Sequence, residues 1–445
     1  MKLREAVMGA NASVYYKVDI TKIRGAFYPR TEEEVVEVIR QAREKGFSVT
    51  PKGGGSGLSG ACTGGNRDRV MISTLQMRQI LCVSKDQGYV DVQAGATPDE
   101  INAVLSPIGM KFYVAPSSRD VASVGGLLST DGGGNDAWTA GTMRDNTLRA
   151  KMVLYNGHRV TVDRSGVRCD DPALESALNG IGFSLDDVAG SHGTLGFITE
   201  LRLVIKPTVR ETLVGGTVHY SDGNEMGQSI ARMIDRKIPI TYGEVIYSAH
   251  DDVRGDLRPP LMIIELPQER FDDLKQLVDL KRLSGAELSS LKDIRLKLPK
   301  RNPKTGLQMA IFEDYGFHGR SLQRMQDCIE DIDRLLVEHR FTPFAKYGHA
   351  PSKWYLGNNR PAYGVILHSR EIRPEGGSGE QIFKTVLDIV DLCRRLEITP
   401  KPEHKWPYDD VEKNRRLMQI REIIGTGFND FVLSPDYASV LGSMV

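Results

Sequence analysis

The chain has 445 residues, 26% charged and 40% hydrophobic, a composition that suits a globular protein of two or three domains. Its 58 Lys and Arg balance 58 Asp and Glu, and without a basic excess a nucleic-acid binder is not expected. No run of eighteen apolar residues predicts a membrane span, and Met1-Lys2-Leu3-Arg4-Glu5 leads into no apolar signal region. A cytoplasmic location is therefore expected, with room for peripheral contact at the inner membrane face.

The five cysteines, Cys62, Cys82, Cys169, Cys328 and Cys393, are dispersed and form no C-x-x-C pair. That spacing argues against a thiolate zinc site, an iron–sulfur cluster or a disulfide framework.

Thr31 with Glu34 forms a capping-box pattern, and Val35, Val36, Ile39 and Ala42 follow at helical spacing until Gly46. Short strands are predicted at residues 47–50, 70–73 and 89–93. Thr97, Pro98 and Glu100 then mark a second helix start. Short strands mixed with helices predict an α+β fold. The texture changes near Lys206-Pro207, after which strands such as 261–264 alternate with longer charged helices such as 321–340. A basic, proline-bearing loop is expected at 295–305. Of the 45 glycines, 26 lie in the first 207 residues, so the large polar ligand is expected there.

Gly55-Ser56-Gly57-Leu58-Ser59-Gly60 satisfies G-x-G-x-x-G. A Rossmann turn would run directly into a helix. Here another loop follows, and the next strand ends at Ser73-Thr74 with no acid to hold a ribose. Glycine amides can still cradle a pyrophosphate as an anion-binding nest. A second such segment runs from Ala115-Pro116-Ser117-Ser118 through Ser123-Val124-Gly125-Gly126 to Asp131-Gly132-Gly133-Gly134. A third is Gly190-Ser191-His192-Gly193-Thr194-Leu195-Gly196-Phe197-Ile198-Thr199-Glu200.

Together with Pro51-Lys52-Gly53-Gly54-Gly55-Ser56-Gly57-Leu58, these segments resemble the FAD-binding loops of the p-cresol methylhydroxylase/vanillyl-alcohol oxidase superfamily. Within it the likeness is to the D-2-hydroxyacid dehydrogenase branch, which contains D-lactate dehydrogenase and the flavin subunit of glycolate oxidase. It is specific over residues 26–207 and looser beyond.

The resemblance implies a two-part PCMH-type FAD-binding domain over residues 1–207. It also implies an α+β cap domain with an antiparallel sheet over 208–420, and a tail over 421–445 returning to the first domain. It places Gly53, Gly54, Gly55, Ser56, Gly57 and Leu58 around the FAD pyrophosphate, with Pro116, Ser117 and Ser118 along the diphosphate and ring. Ser123, Gly125, Gly126 and Gly133 would line the channel, and Gly193, Gly196 and Ile198 would meet the cofactor through backbone. Relatives with tethered flavin carry His where Ser56 stands, so non-covalent FAD is expected. His192 stands where the branch more often has Glu. It reads either as a neighbour of the flavin or as a hydrogen-bonded loop histidine.

For substrate, the branch uses two histidines and a glutamate on a metal, with an adjacent histidine as base. Tyr347-Gly348-His349-Ala350 matches the start of the first metal motif, but the seventh residue on is Leu356 rather than His. His368, on a predicted strand at 365–369, is the candidate to fill that place. Glu403-His404 retains the second motif. His349, His368 and Glu403 would then hold a divalent metal such as zinc, and His404 would act as base. Arg301, beside Lys304, lies where the family supplies arginine to the substrate carboxylate, with Arg370 and Arg373 as other anion holders. A lysine expected near residue 312 is absent, and Glu313 and Asp314 stand there. Tyr242, Phe317, Trp354, Tyr355 and Trp406 are candidate pocket walls.

The leading expectation is an FAD-dependent oxidation of a D-lactate- or glycolate-like D-2-hydroxyacid. Electrons would pass to a quinone, an iron–sulfur subunit, a cytochrome or oxygen. Two alternatives stand beside it: a transferase resembling alkyldihydroxyacetonephosphate synthase, and an FAD-bearing relay subunit of a larger complex. A homo-oligomer is compatible with all three.

Overall fold

The computed structural model describes residues 20–57, 61–62, 67–116, 118–134, 137–208, 212–248, 258–292, 309–310, 314–372, 379–400 and 410–429. Strand β1 (Ile23–Phe27), a helix (Glu32–Glu44), β2 (Ser48–Lys52) and β3 (Arg69–Ser73) open the fold. The three strands make a parallel sheet in the order β1-β3-β2. Thr31 caps the helix, accepting a hydrogen bond from Glu34 N at 3.3 Å. The Glu34 carboxylate reaches back one residue further than a capping box requires, to Arg30 N. Val35, Ile39 and Ala42 point from the helix into a core shared with Val49, Val70, Ile72 and Phe197.

Next come β4 (Ile80–Ser84), β5 (Tyr89–Gln93), the helix Pro98–Leu105, β6 (Met110–Lys111) and the helix Val124–Thr130. Then follow β7 (Thr147–Val153), β8 (Arg159–Asp163), β9 (Gly166–Cys169), β10 (Phe197–Val204) and β11 (Lys206–Pro207). Six of these strands form an antiparallel sheet in the order β4-β5-β10-β7-β8-β9, while β6 pairs with β11. The helix start expected at Thr97-Pro98 has a complete capping box with Glu100.

The remaining strands are β12 (Leu213–His219), β13 (Tyr242–Ser248), β14 (Leu261–Pro267), β15 (Leu280–Leu283), β16 (Met309–Ala310), β17 (Asp314–His318), β18 (Thr342–Tyr355), β19 (Pro361–Ile372) and β20 (Thr399–Pro400). Their antiparallel sheet runs β15-β12-β14-β13-β18-β19-β17-β20, with β16 on β19. The helices Gly223–Asp235 and Met325–Glu338 cover one face, where Val245, Tyr315, Phe317, Val365 and Leu367 join the main core. The single helix expected at 321–340 is two, Gly319–Gln323 and Met325–Glu338. Arg324, at φ −116° and ψ 37°, leaves helical geometry between them.

Sheets thus sort along the chain on either side of residue 208, and several contacts tie the halves, among them Trp138 Nε1 donating to Ile238 O at 2.7 Å. The β18–β19 hairpin reaches the earlier half: Lys353 Nζ and Tyr355 Oη lie 2.7 and 2.5 Å from Asp145 Oδ1, and Arg144 donates to Asn359 at 2.7 Å. After the helix Val411–Ile424, the chain returns to β2. Val49 N donates to Gly427 O, Asn429 N donates to Val49 O, and Phe428 enters the core of the parallel sheet.

Candidate flavin cleft and histidine site

The loop leaving β2 turns at Gly55, whose φ of 73° is a left-handed conformation suited to glycine. Just before it, Gly53 and Gly54 lie hard against the entry to the helix Val124–Thr130. A Cβ on Gly53 would stand 2.1 Å from Ser123 Oγ, and one on Gly54 would stand 1.8 Å from the Val121 carbonyl oxygen. Ser123 caps the same helix, accepting from Gly126 N at 3.2 Å. Gly125 N donates to Ala94 O, and a Cβ there would meet Ala94 Cβ at 2.8 Å. Close approach of backbone to backbone is what these glycines permit.

The third segment joins from the far side. Gly193, at φ 71°, packs on Pro51 and Asn429. His192 also has positive φ (54°) and is buried. Its N–H donates to Ser129 O at 2.7 Å, and its carbonyl accepts from Asn429 Nδ2 at 2.8 Å. His192 is thus hydrogen-bonded through its backbone and borders the cleft.

The three segments border one cleft, lined by Gly53, Gly54, Gly55, Ser56, Gly57, Ser123, Gly125, Gly126, Gly193, Gly196 and Ile198 among others. Pro116, Ser118 and Gly133 do not line it. The Ser118 carbonyl instead accepts from Val121 N and Ala122 N in the turn before the helix, and Gly133 packs against Ala137. Leu58 and Ser117 lie outside the described residues.

Sequence reasoning did not find Cys62, Thr74, Ser129, Thr130 or Asn429, which also line the cleft. They come from other elements, and Asn429 from the far end of the chain. Lys52 is a buried wall residue whose ammonium is pushed down by burial, an effect that Cys62 nearby opposes. Burial likewise pushes the Cys62 thiol up, against the pull of Lys52. A dianionic pyrophosphate beside Lys52 would favour the charged ammonium.

A second polar cluster lies in the nine-stranded sheet. Glu244 sits opposite His349 across β13 and β18, and Tyr347 opposite His368 across β18 and β19. Asp314 sits opposite His368 across β17 and β19. Residues directly opposite share a face, as do residues two apart on one strand. All five therefore share the face away from the covering helices. His349 Nε2 and His368 Nε2 are 3.4 Å apart. His368 Nδ1 lies 2.8 Å from Asp314 Oδ1, and His349 Nδ1 lies 3.5 Å from Glu244 Oε2. Exposures are 2% for His349, 5% for His368, 1% for Asp314 and 3% for Glu244.

Two nitrogens each bound at zinc distance in a tetrahedral site lie about 3.3–3.4 Å apart, so the separation of this pair fits a shared ion. Arg370, on the same strand as His368, sits 5.0 Å over the Tyr347 ring. Arg301, Lys304, Arg373, Glu403, His404 and Trp406 lie outside the described residues. Of the expected pocket walls, Phe317 faces the helices and belongs to the core, while Tyr355 is engaged by Asp145.

Residues 23–163 match the FAD binding domain family. By this domain and the relatives below, the chain is similar to proteins of the PCMH-type FAD-binding superfamily. Several of its sequence relatives are named D-2-hydroxyglutarate or D-lactate dehydrogenases. It is 26% identical to D-2-hydroxyglutarate dehydrogenase of Pseudomonas putida over 59% of this chain and 24% of that protein. It is 29% identical to the probable mitochondrial D-lactate dehydrogenase of Danio rerio, over 51% of this chain and 43% of the relative. It is 31% identical to D-lactate dehydrogenase of Archaeoglobus fulgidus, over 42% and 39%. The matches thus span less than half the length of each of these curated relatives. A solved structure of alkyldihydroxyacetonephosphate synthase shares the fold, with a TM-score of 0.62 and 17% identity over 90% of this chain and 75% of that one. Among the described residues no helix is long and apolar enough to cross a membrane.

Proposed function

We propose that the chain is an FAD-dependent oxidoreductase that oxidises a D-2-hydroxyacid of the lactate or glycolate type. The observation that carries this reading is the convergence of three glycine-rich segments on one cleft, two of them within the stretch that matches an FAD binding domain. Gly53 to Gly57, Gly125, Gly126, Gly193 and Gly196 present backbone to the cofactor, with Lys52 as a nearby positive group. FAD supplies a two-electron acceptor for the hydride leaving the substrate carbon.

On the sheet, His349 and His368 hold a divalent ion such as zinc, with Glu403 as third ligand. Such an ion supplies positive charge that lowers the pKa of a substrate hydroxyl. His404 takes the hydroxyl proton, and Arg301 or Arg370 holds the carboxylate. A shared substrate for the two sites is supported by β18 and β19, which carry both histidines and whose hairpin is fastened to Arg144 and Asp145. The electron acceptor is a quinone, an iron–sulfur or cytochrome partner, or oxygen.

The test is a visible spectrum followed by anaerobic titration with D-lactate, glycolate, D-2-hydroxyglutarate and sugar acids. Flavin bands that bleach with one of these support the proposal and name its substrate class. Bands that never bleach favour the transferase or relay alternatives. No bands after reconstitution with FAD would overturn the reading.

A further inference from the structure

Four ionisable side chains from four strands meet on one buried sheet face, an arrangement that is costly unless the groups satisfy one another. The two histidines face each other through Nε2, at 3.4 Å. Each has its other ring nitrogen toward a carboxylate, Asp314 at 2.8 Å from His368 and Glu244 at 3.5 Å from His349. A carboxylate at Nδ1 favours the tautomer with the proton there, which leaves Nε2 as a lone pair. At 3.4 Å the two Nε2 atoms are within reach of one shared proton, as a ring-to-ring hydrogen bond, or of one shared metal ion.

We infer that Asp314 and Glu244 are the positioning residues of the site. They fix His368 and His349 as Nδ1–H tautomers and turn both Nε2 lone pairs toward one divalent cation. This rests on the ion-binding reading of the histidine pair. Asp314 is directly opposite His368 in the sheet register, and Glu244 directly opposite His349. Each histidine thus has its own acid, delivered by strand pairing. The acid at 314 stands where the family resemblance leads one to expect a lysine, and the histidine it touches comes from a strand the first metal motif does not reach. The two departures from the family pattern are in contact with each other.

The experiment is a cobalt titration of the FAD-loaded, chelator-treated full chain, read from the cobalt d–d bands to the red of flavin absorption. The expected parent result is one ion per chain, lost in His349→Ala and His368→Ala. Asp314→Asn and Glu244→Gln each keep their flavin and far-ultraviolet dichroism. They weaken cobalt binding about 10–100-fold, the usual scale for groups behind the ligands, and alter the band shape. Asp333→Asn, a carboxylate that pairs with Lys346 on the helix-covered side, leaves the titration unchanged.

Cobalt bound as tightly by Asp314→Asn and Glu244→Gln as by the parent would overturn the positioning role while leaving the ion reading intact. A parent that binds no cobalt, or binds it equally after both histidines are removed, would overturn the two together. If Asp314→Asn does not fold, Glu244→Gln on a different strand decides the matter.

Discussion

The flavin cleft and the histidine site are built by opposite means. The cleft depends on backbone: glycines in its wall have missing side chains that let the loop after β2, the helix Val124–Thr130 and the turn at Gly193 approach one another. The histidine site is made of side chains, four ionisable groups aligned by strand register on a rigid sheet. A backbone site is destroyed by adding an atom, whereas a side-chain site is destroyed by removing one. The two should therefore fail independently, although the β18–β19 hairpin links them.

The largest effect is expected at Gly54. Its Cβ would overlap the Val121 carbonyl at 1.8 Å, a backbone atom that cannot swing aside. Gly54→Val should purify colourless and take up no FAD from an excess, as measured by the ratio of flavin to protein absorbance. The same variant should still bind cobalt at the histidine pair, provided its dichroism shows a folded sheet. A yellow, stoichiometric Gly54→Val would break the contrast.

A smaller effect is expected where the halves are tied. Burial works to raise the Asp145 carboxyl, but hydrogen bonds from Lys353, Tyr355 and Thr142 N outweigh it and hold the group below the usual carboxylate range. The depressed value means the stability it contributes is present above the ordinary carboxylate pKa and is lost as pH falls below it. Asp145→Asn should cost about 1–3 kcal/mol. Its melting temperature should fall at neutral pH and converge on that of the parent in acid.

An effect of opposite sign is expected on the helix-covered side of the sheet. Burial pushes Glu371 up to about 7, against the opposing pull of Lys346. A raised value means the stabilising proton is held below the ordinary carboxylate pKa and is lost as pH rises toward 7. Glu371→Gln should resemble the parent near pH 4 and exceed it at pH 8 by up to about 3 kcal/mol. Thermal melts across that range would check this, and equal melting temperatures at pH 8 would contradict it.

The same contrast explains what the sequence made legible. Positive φ and backbone contact admit few residues besides glycine, so the cleft left a local signature at residues 53–57, 125–126 and 193–196. Thr74, Cys62 and Asn429 left none, because ordinary residue types reach the cleft only through tertiary packing. His349 was visible through its motif, and His368 through a gap in that motif.

Glu244 and Asp314 were not singled out as site residues. Their partners lie 105 and 54 positions away, and only the strand order brings them together. The available signal was an acid within a mainly apolar strand, as in Tyr242-Gly243-Glu244-Val245-Ile246 and Asp314-Tyr315-Gly316-Phe317. Such a residue marks a buried charge that must have a partner. The split of the expected helix at Arg324 was likewise invisible, since apolar spacing alone does not record one residue leaving helical geometry.

The central claim is that the cleft holds the flavin while the histidine face prepares the substrate. Its most direct test is the anaerobic stopped-flow rate of flavin reduction in His368→Ala, using the hydroxyacid that bleaches the parent. Full FAD content with reduction slowed by about a hundredfold or more is expected, on the scale of lost acid–base assistance. Full FAD content with an unchanged reduction rate would contradict it.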